Sequence, residues 1–277
     1  MTTQCSESSF RFEDLGKREV VARFDGGEIT SDAGGLLLRK VEQRTGIVRQ
    51  FAACFEDRRK PELIEHTVKE LVAQRVYGLA LGYEDLNDHE QLRQDPLLHV
   101  LAGKVKLEEP LAGKSTLNRL ELGDGNPDRY KKITYWKDCM DALLVSVFLE
   151  AFQTPPEEIV LDLDTTDVEL SGKQEGRFFH GYYDEYCYLP LYIFAGEHLL
   201  CVRLREADRD AADGCLAEVQ RIVGQIRARW SQVHIILRGD SGFCRDELMD
   251  WAEQQWGVDY VFGVPRNARL RRLIAPQ

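Results

Sequence analysis

The chain has 277 residues, 43% of them apolar and 30% charged, which is enough material for one large soluble domain or two modest ones. Its net charge of −11 argues against coating nucleic acid through bulk charge, no run approaches a membrane span, and no basic flank leads into an apolar stretch at the N-terminus. Seven single cysteines without a C-x-x-C pair argue against a zinc knuckle and fit reduced thiols in a cytoplasm.

Residues 1–155 read as a mainly helical region. EVVARFDGGEITSDAGG reads as a strand, a turn, a second short strand and a cap. Thr30, Ser31 and Asp32 are N-cap candidates for a helix over LLLRKVEQRTG. Pro61 reads as a helix start, followed by an apolar stripe of Leu63, Ile64, Val68, Leu71, Val72, Val76 and Leu79. EDLNDHEQLRQ reads as a further helix. LAGKSTLNRL invites a phosphate-loop reading, but the position five places before Gly113 is Glu108, so the glycine spacing fails. It reads instead as a turn and a helix capped by Ser115, with Lys114, Asn118 and Arg119 either facing DNA or simply solvated. DRYKKITYWKDCMDALLVSVFLEAF reads as one long helix that Thr154-Pro155-Pro156 ends.

Residues 156–277 follow another pattern, with the boundary expected near 154–158. Strands are expected at 159–164, at 186–196 and 198–206 around a turn at Gly196-Glu197, at 233–240 and in VDYVFGVPRN. Helices are expected over DRDAADGCLAEVQRIVGQIRARW, where Leu216, Val219, Ile222, Val223 and Ile226 share a face, and over DELMDWAEQQW. The order β-β-β-α-β-α-β implies a mixed α/β fold, a mixed sheet with helices on its faces.

Two of these strands end in aspartates. Along LDLDTTD, side chains alternate, so Asp162 and Asp164 share a side. Asp164 sits at the strand end before Thr165 and Thr166, whose hydroxyls suit a carboxylate or a phosphate. In ILRGDSGF, Asp240 ends the strand between Gly239 and Gly242. Each acid alone has an ordinary explanation, as an edge acid or as an N-cap. Together, at the ends of strands in one sheet, they can hold a divalent metal for in-line attack on a phosphodiester. His180, in HGYYDEYCYLPLYIF, either contacts that phosphate or satisfies a turn. The surrounding aromatics read as core and strand-face packing. Arg266, Arg269, Arg271 and Arg272 in RNARLRRL suit a phosphate backbone or a solvated charged end.

The DTT after an apolar strand, the hairpin YCYLPLYIF and the strand ILRGDSGF resemble the DDE-type transposases of bacterial insertion sequences. SDAGGLLL, GYEDLNDHEQLRQDP and GKSTLNRLE resemble the helical region of the same family, so the resemblance covers nearly the whole chain. It implies a ribonuclease H-like core in which three acids hold two Mg²⁺ or Mn²⁺ ions. It also implies a partner in double-stranded DNA, at terminal inverted repeats and target, and a homo-oligomer formed on that DNA in the bacterial cytoplasm, at the nucleoid. Carried over, the first acid is Asp164 and the second Asp240. The third has no match, because the family's glutamate-bearing helix lies beyond the strand ending in FGVPRN and this sequence stops at Gln277; Glu247 and Glu253 lie on the wrong helix. The resemblance therefore implies a C-terminally truncated protein with an incomplete core, and with it poor solubility or self-association. Beside an active transposase stand two alternatives: a catalytically dead DNA-binding fragment, and a metal-dependent nuclease of the same fold.

Overall fold

The computed structural model describes residues 9–27, 29–123, 130–265 and 268–274, and the chain divides into two units at Met140/Asp141. The first unit opens with an antiparallel pair, β1 (Phe10–Leu15) and β2 (Arg18–Ala22). Helices α1 (Gly35–Thr45) and α2 (Ile47–Ala52) meet at Gly46, whose left-handed φ of 65° ends the first and starts the second. The expected side-chain cap on α1 is not made: Asp32 instead accepts a hydrogen bond from the Tyr83 hydroxyl at 2.7 Å. After β3 (Phe55–Asp57), Pro61 starts only a single 3₁₀ turn, and Leu63 is left exposed.

The helix that follows, α3 (Val68–Ala80), starts at Thr67, where a reciprocal cap with Glu70 satisfies two backbone donors. Leu71 and Val72 on α3 are fully buried against α5 (Pro96–Ala102) and neighbours, while α4 (His89–Leu92) is a single turn. Helix α6 (Lys114–Glu121) starts at Gly113 rather than at Ser115. The long helix expected from 128 is shorter than its sequence suggests. Ile133–Tyr135 forms β4, paired antiparallel with β3, and among the described residues of this stretch only α7 (Lys137–Glu150) is helical. The β-branched Ile133 and Thr134 favour that edge pairing over a helical first turn.

In the second unit, five strands form one mixed sheet in the order β10-β9-β5-β11-β12. These are β5 (Glu158–Thr165), β9 (Leu191–Ala195), β10 (His198–Arg203), β11 (His234–Gly239) and β12 (Val258–Phe262). Strands β5, β9 and β10 pair antiparallel in turn; β11 joins β5 in parallel after α8 (Cys215–Arg229), and β12 joins β11 in parallel after α9 (Asp246–Glu253). This is the mixed α/β fold expected. A separate three-stranded sheet, β6 (Val168–Glu169), β8 (Glu185–Tyr188) and β7 (Phe178–His180), was not foreseen. Pro190 separates β8 from β9, since it has no N–H to continue a ladder. The last helix is α10 (Ala268–Ile274).

One face of the main sheet carries the core. Ile159, Leu161, Leu163, Ile193, Ile235, Leu237 and Val258 pack against Val145, Phe148 and Leu149 of α7, the α8 stripe of Val219, Ile222 and Ile226, and Leu248 of α9. The opposite face is half-open among the described residues, with Val261 exposed. No described helix is long and apolar enough to cross a membrane.

A charged network ties this layer together. Arg203 forks onto Asp141 of α7 at 2.6 and 2.5 Å and reaches Glu218 of α8 at 2.6 Å, and Arg221 bonds Glu218 at 2.9 Å. Burial pushes the Glu218 carboxyl up, but its bonds to Arg203 and Arg221 outweigh burial and leave it below the usual range. Arg203→Ala would remove the forked cation from the partly buried Asp141 and leave Glu218 with Arg221 alone. Urea unfolding is expected to show a loss of about 3 kcal/mol; a loss below about 0.5 kcal/mol, typical of surface changes, would contradict this role.

At the other end of the sheet, His234 of β11 bonds Asp259 of β12 at 2.8 Å and Glu158 of β5 at 3.2 Å. Asp259 first, then Glu158, holds the imidazole above its ordinary range. A folded-state value above the unfolded one stabilises fully below the unfolded pKa of about 6.5, and that gain is lost as pH rises through the folded value. The pair is solvent-screened, so the effect is at most about 1 kcal/mol. His234→Gln is expected to lower the melting temperature more at about pH 5.5 than at about pH 8.5, by differential scanning fluorimetry; the reverse order would contradict the linkage.

Candidate carboxylate site at the strand ends

Parallel pairing of β5 with β11 sets Leu163 beside Gly239, so Asp164 and Asp240 each come one residue after this last pair, at the carboxyl ends of neighbouring strands. Strand alternation places Asp162, Asp164 and Arg238 on the half-open face, away from the core residues Leu161, Leu163 and Leu237. Tyr192 of β9 is the cross-strand neighbour of Asp164, and Phe194 that of Asp162. Both aspartates at the strand ends are exposed.

Asp240 is not the cap of α9, whose first turn begins after Arg245. Its Oδ1 accepts the Gly242 N–H at 2.8 Å, and its carbonyl accepts the Phe243 N–H at 3.2 Å, so the chain turns sharply under the carboxylate. Glycines make that turn possible. A Cβ on Gly242 would lie 2.9 Å from Asp240 Oδ1, and one on Gly263 would lie 3.0 Å from the Ser241 nitrogen. Arg245 stands close enough to Asp240 to feel its charge and is itself bonded to Asp210 at 2.7 Å; Asp210 is held below the usual carboxylate range chiefly by that bond.

Asp162 is committed differently. The Arg238 guanidinium forks onto both its oxygens, with Nη2 to Oδ2 at 2.8 Å. Thr165 ends β5, half-buried, and Thr166 follows it, exposed. His180 ends β7 with its ring 4.9 Å from that of Tyr183, and its Nδ1 is buried without a hydrogen-bond partner among the described residues. Burial, then the charges of Asp167, Tyr182 and Asp164, pushes the Tyr183 phenol up, which places this hairpin within electrostatic reach of Asp164. Beside it, the hydrogen bond that a protonated Glu185 donates to Asp167 holds the Glu185 carboxyl above its ordinary range. Not all the aromatics of the segment after His180 are packed as expected: Tyr182 and Tyr186 are exposed, as are Phe178 and Phe179 just before it.

Two carboxylates at an exposed strand end are hard oxygen donors suited to a divalent cation. Among the described residues no group of three or more His, Cys, Asp or Glu side chains stands ready to hold a metal. Mg²⁺ takes one or two protein carboxylates and fills its remaining positions with water and substrate phosphate, so the pair fits the ion as a partial ligand set.

Of the expected DNA-contacting residues, Lys114 bonds Asn87 at 2.9 Å, and Arg119 lines a basic cavity in the first unit. Arg269, Arg271 and Arg272 lie exposed on α10, while Arg266 lies outside the described residues. Sequence reading missed Arg238, Arg245, Asp210 and Tyr183. The arginine in ILRGD, two places before Asp240, was the available signal for the first: it shares a face with that acid and opposes the acidic pair of the neighbouring strand.

The fold and site define a mixed α/β protein with paired carboxylates at the ends of adjacent parallel strands. Residues 12–277 match the family model described as transposase DDE domain, group 1, and the chain belongs to that family. In sequence, no curated protein matches it. Among solved structures it is similar to a piggyBac transposase synaptic complex with hairpin DNA, with TM-score 0.38, 14% identity, and 85% of this chain and 52% of that chain covered. It is also similar to a Mos1 transposase paired-end complex with the left transposon end, with TM-score 0.27, 12% identity, and 85% and 79% covered. The chain thus spans about half the length of the piggyBac transposase it matches.

The crowding beneath Asp240 gives a direct stability test. Gly263→Ala drives a methyl group into backbone and is expected to cost about 1–3 kcal/mol in urea unfolding. Gly181→Ala, where nothing lies within 4 Å of the added carbon, is expected to be neutral. Equal effects would contradict the packing described.

Proposed function

We propose that this chain carries the DNA-cleaving and DNA-joining region of an insertion-sequence transposase, a metal-dependent polynucleotidyl transferase. The observation that supports the reading is the register of β5 and β11, whose last pair, Leu163 with Gly239, immediately precedes Asp164 and Asp240 in a chain of the DDE family. Asp164 and Asp240 would hold Mg²⁺ or Mn²⁺, and Asp162 joins them only if Arg238 turns to a substrate phosphate instead. A divalent ion bound there neutralises phosphate charge and lowers the pKa of an attacking hydroxyl.

The chain's own groups orient the substrate. Thr165 and Thr166 offer hydroxyl donors to phosphate oxygens at the strand end, and His180 contacts the phosphate beside the cut. Attack by water on a phosphodiester at the element's end breaks a P–O bond and leaves a 3′ hydroxyl. That hydroxyl attacks a target phosphodiester, forming the new P–O bond as the target's own 3′ oxygen leaves.

Double-stranded DNA is the proposed partner, read at terminal repeats and at the target. Residues 1–155 serve DNA binding and dimerisation, and 156–277 the chemistry. Lys114, Arg119, Arg266, Arg269, Arg271 and Arg272 contact backbone phosphates, and the protein works as a homo-oligomer at a bacterial nucleoid.

The test is nicking of end-labelled duplexes carrying the element's ends, with Mn²⁺ or Mg²⁺ added. Asp164→Ala and Asp240→Ala are each expected to lower the rate at least about a thousandfold, the several kcal/mol expected of a lost metal ligand. Nicking retained by either variant would overturn the assignment. End binding without nicking by the wild type would point to a DNA-binding fragment.

A further inference from the structure

The first unit holds a cavity of about 260 Å³ lined by Arg59, Lys60, Thr116, Arg119, Tyr130 and Lys132 over Leu63 and Ile133. Three segments converge on it. The turn after β3 brings Arg59 and Lys60. Helix α6 brings Thr116 and Arg119, one turn apart on the same side, while Leu117 and Leu120 anchor its other side in the core. The lead-in to β4 brings Lys132, pinned to the first segment by the Arg58 N–H donating to the Lys132 carbonyl at 2.9 Å.

Among the described residues no acid lines this cavity. Arg59 is held rigidly: Nε and Nη2 fork onto Asp57 at 2.8 and 2.7 Å, and Nη2 also reaches the His66 carbonyl at 2.8 Å. Lys60, Arg119 and Lys132 have no ion pair among the described residues. Three cations around one hollow repel each other, and in a chain of net charge −11 the surrounding field does not explain why they cluster. An anion relieves the repulsion. The volume falls below the roughly 300–1,000 Å³ of small-molecule and cofactor sites, which suits one phosphate with part of its sugar. The exposed ring of Tyr130 at the rim adds a flat apolar surface of the kind nucleic-acid grooves use.

We propose that this cavity is a phosphate clamp for the DNA backbone, in which Lys60, Arg119 and Lys132 hold one stretch of phosphodiester while Thr116 donates a hydroxyl bond. The inference rests on the reading of the protein as a DNA-acting transposase. It adds a fixed contact in the first unit, remote in sequence from Asp164 and Asp240. Phosphate contacts set position and orientation and carry no sequence preference, so the clamp acts on any duplex.

The test is fluorescence anisotropy of the full chain with a fluorescein-labelled 30-base-pair duplex across a salt series. The triple variant Lys60→Gln, Arg119→Gln, Lys132→Gln is compared with a charge-matched control, Lys17→Gln, Lys40→Gln, Lys69→Gln, with circular dichroism confirming that both fold. The clamp variant is expected to bind about tenfold or more weaker at 0.1 M salt, with a log–log salt slope shallower by about 2–3, while the control keeps the wild-type slope. Equal losses in both variants, or a clamp variant that binds as wild type does, overturns the clamp and leaves the transposase reading standing. A wild type that binds no duplex overturns both.

Discussion

The parallel register between β5 and β11 is the constraint from which the site follows. Leu161 pairs with Leu237 and Leu163 with Gly239, and the leucines are buried. Because side chains alternate with period two, that burial fixes which residues face outward: Asp162 and Asp164 on one strand, Arg238 on the other. A slip of one residue would turn the leucines to solvent and carry the acids into the core, where an unpaired carboxylate is costly. The apolar pattern that folds the sheet is therefore also what aligns the two acids.

The two faces of the sheet divide the work. The buried face gathers α7, α8 and α9 and is tied by the Arg203–Asp141–Glu218 network. The half-open face carries the carboxylates, the Arg238 fork and the aromatic neighbours Tyr192 and Phe194, stacked 6.1 Å apart. Asp240 reaches its place because Gly242 and Gly263 leave no methyl groups where its carboxylate and following backbone must pass. Local backbone chemistry and long-range strand pairing thus converge on the same few ångströms.

Much of this was legible in the sequence because periodicity reports burial directly. The α8 stripe of Val219, Ile222, Val223 and Ile226 is the buried face, and the five main strands lie where apolar runs ended at small or charged residues. What was not legible depended on partners distant in sequence. Nothing local announces that Asp162 will bond an arginine 76 positions away, or that Asp32 will be taken by Tyr83 rather than cap α1. Other misreadings were local signals given too little weight. Thr67 and Glu70 form a recognisable capping box, Pro190 divides one apparent strand into two, and Ile133-Thr134 at the head of a helix-like run are β-formers. The aromatic hairpin around Tyr182 and Tyr186 was assigned to packing by residue type alone; its exposure came only from the structure.

The central claim is that Asp164 and Asp240 act as one cation-binding pair. It is tested most directly by titrating Mn²⁺ into the protein and reading free Mn²⁺ by electron paramagnetic resonance, for the wild type, Asp164→Asn, Asp240→Asn and the double variant. The expected result is binding weakened by either substitution, with the second adding much less than the first because the pair works together. Mn²⁺ binding unchanged in the double variant would contradict the account.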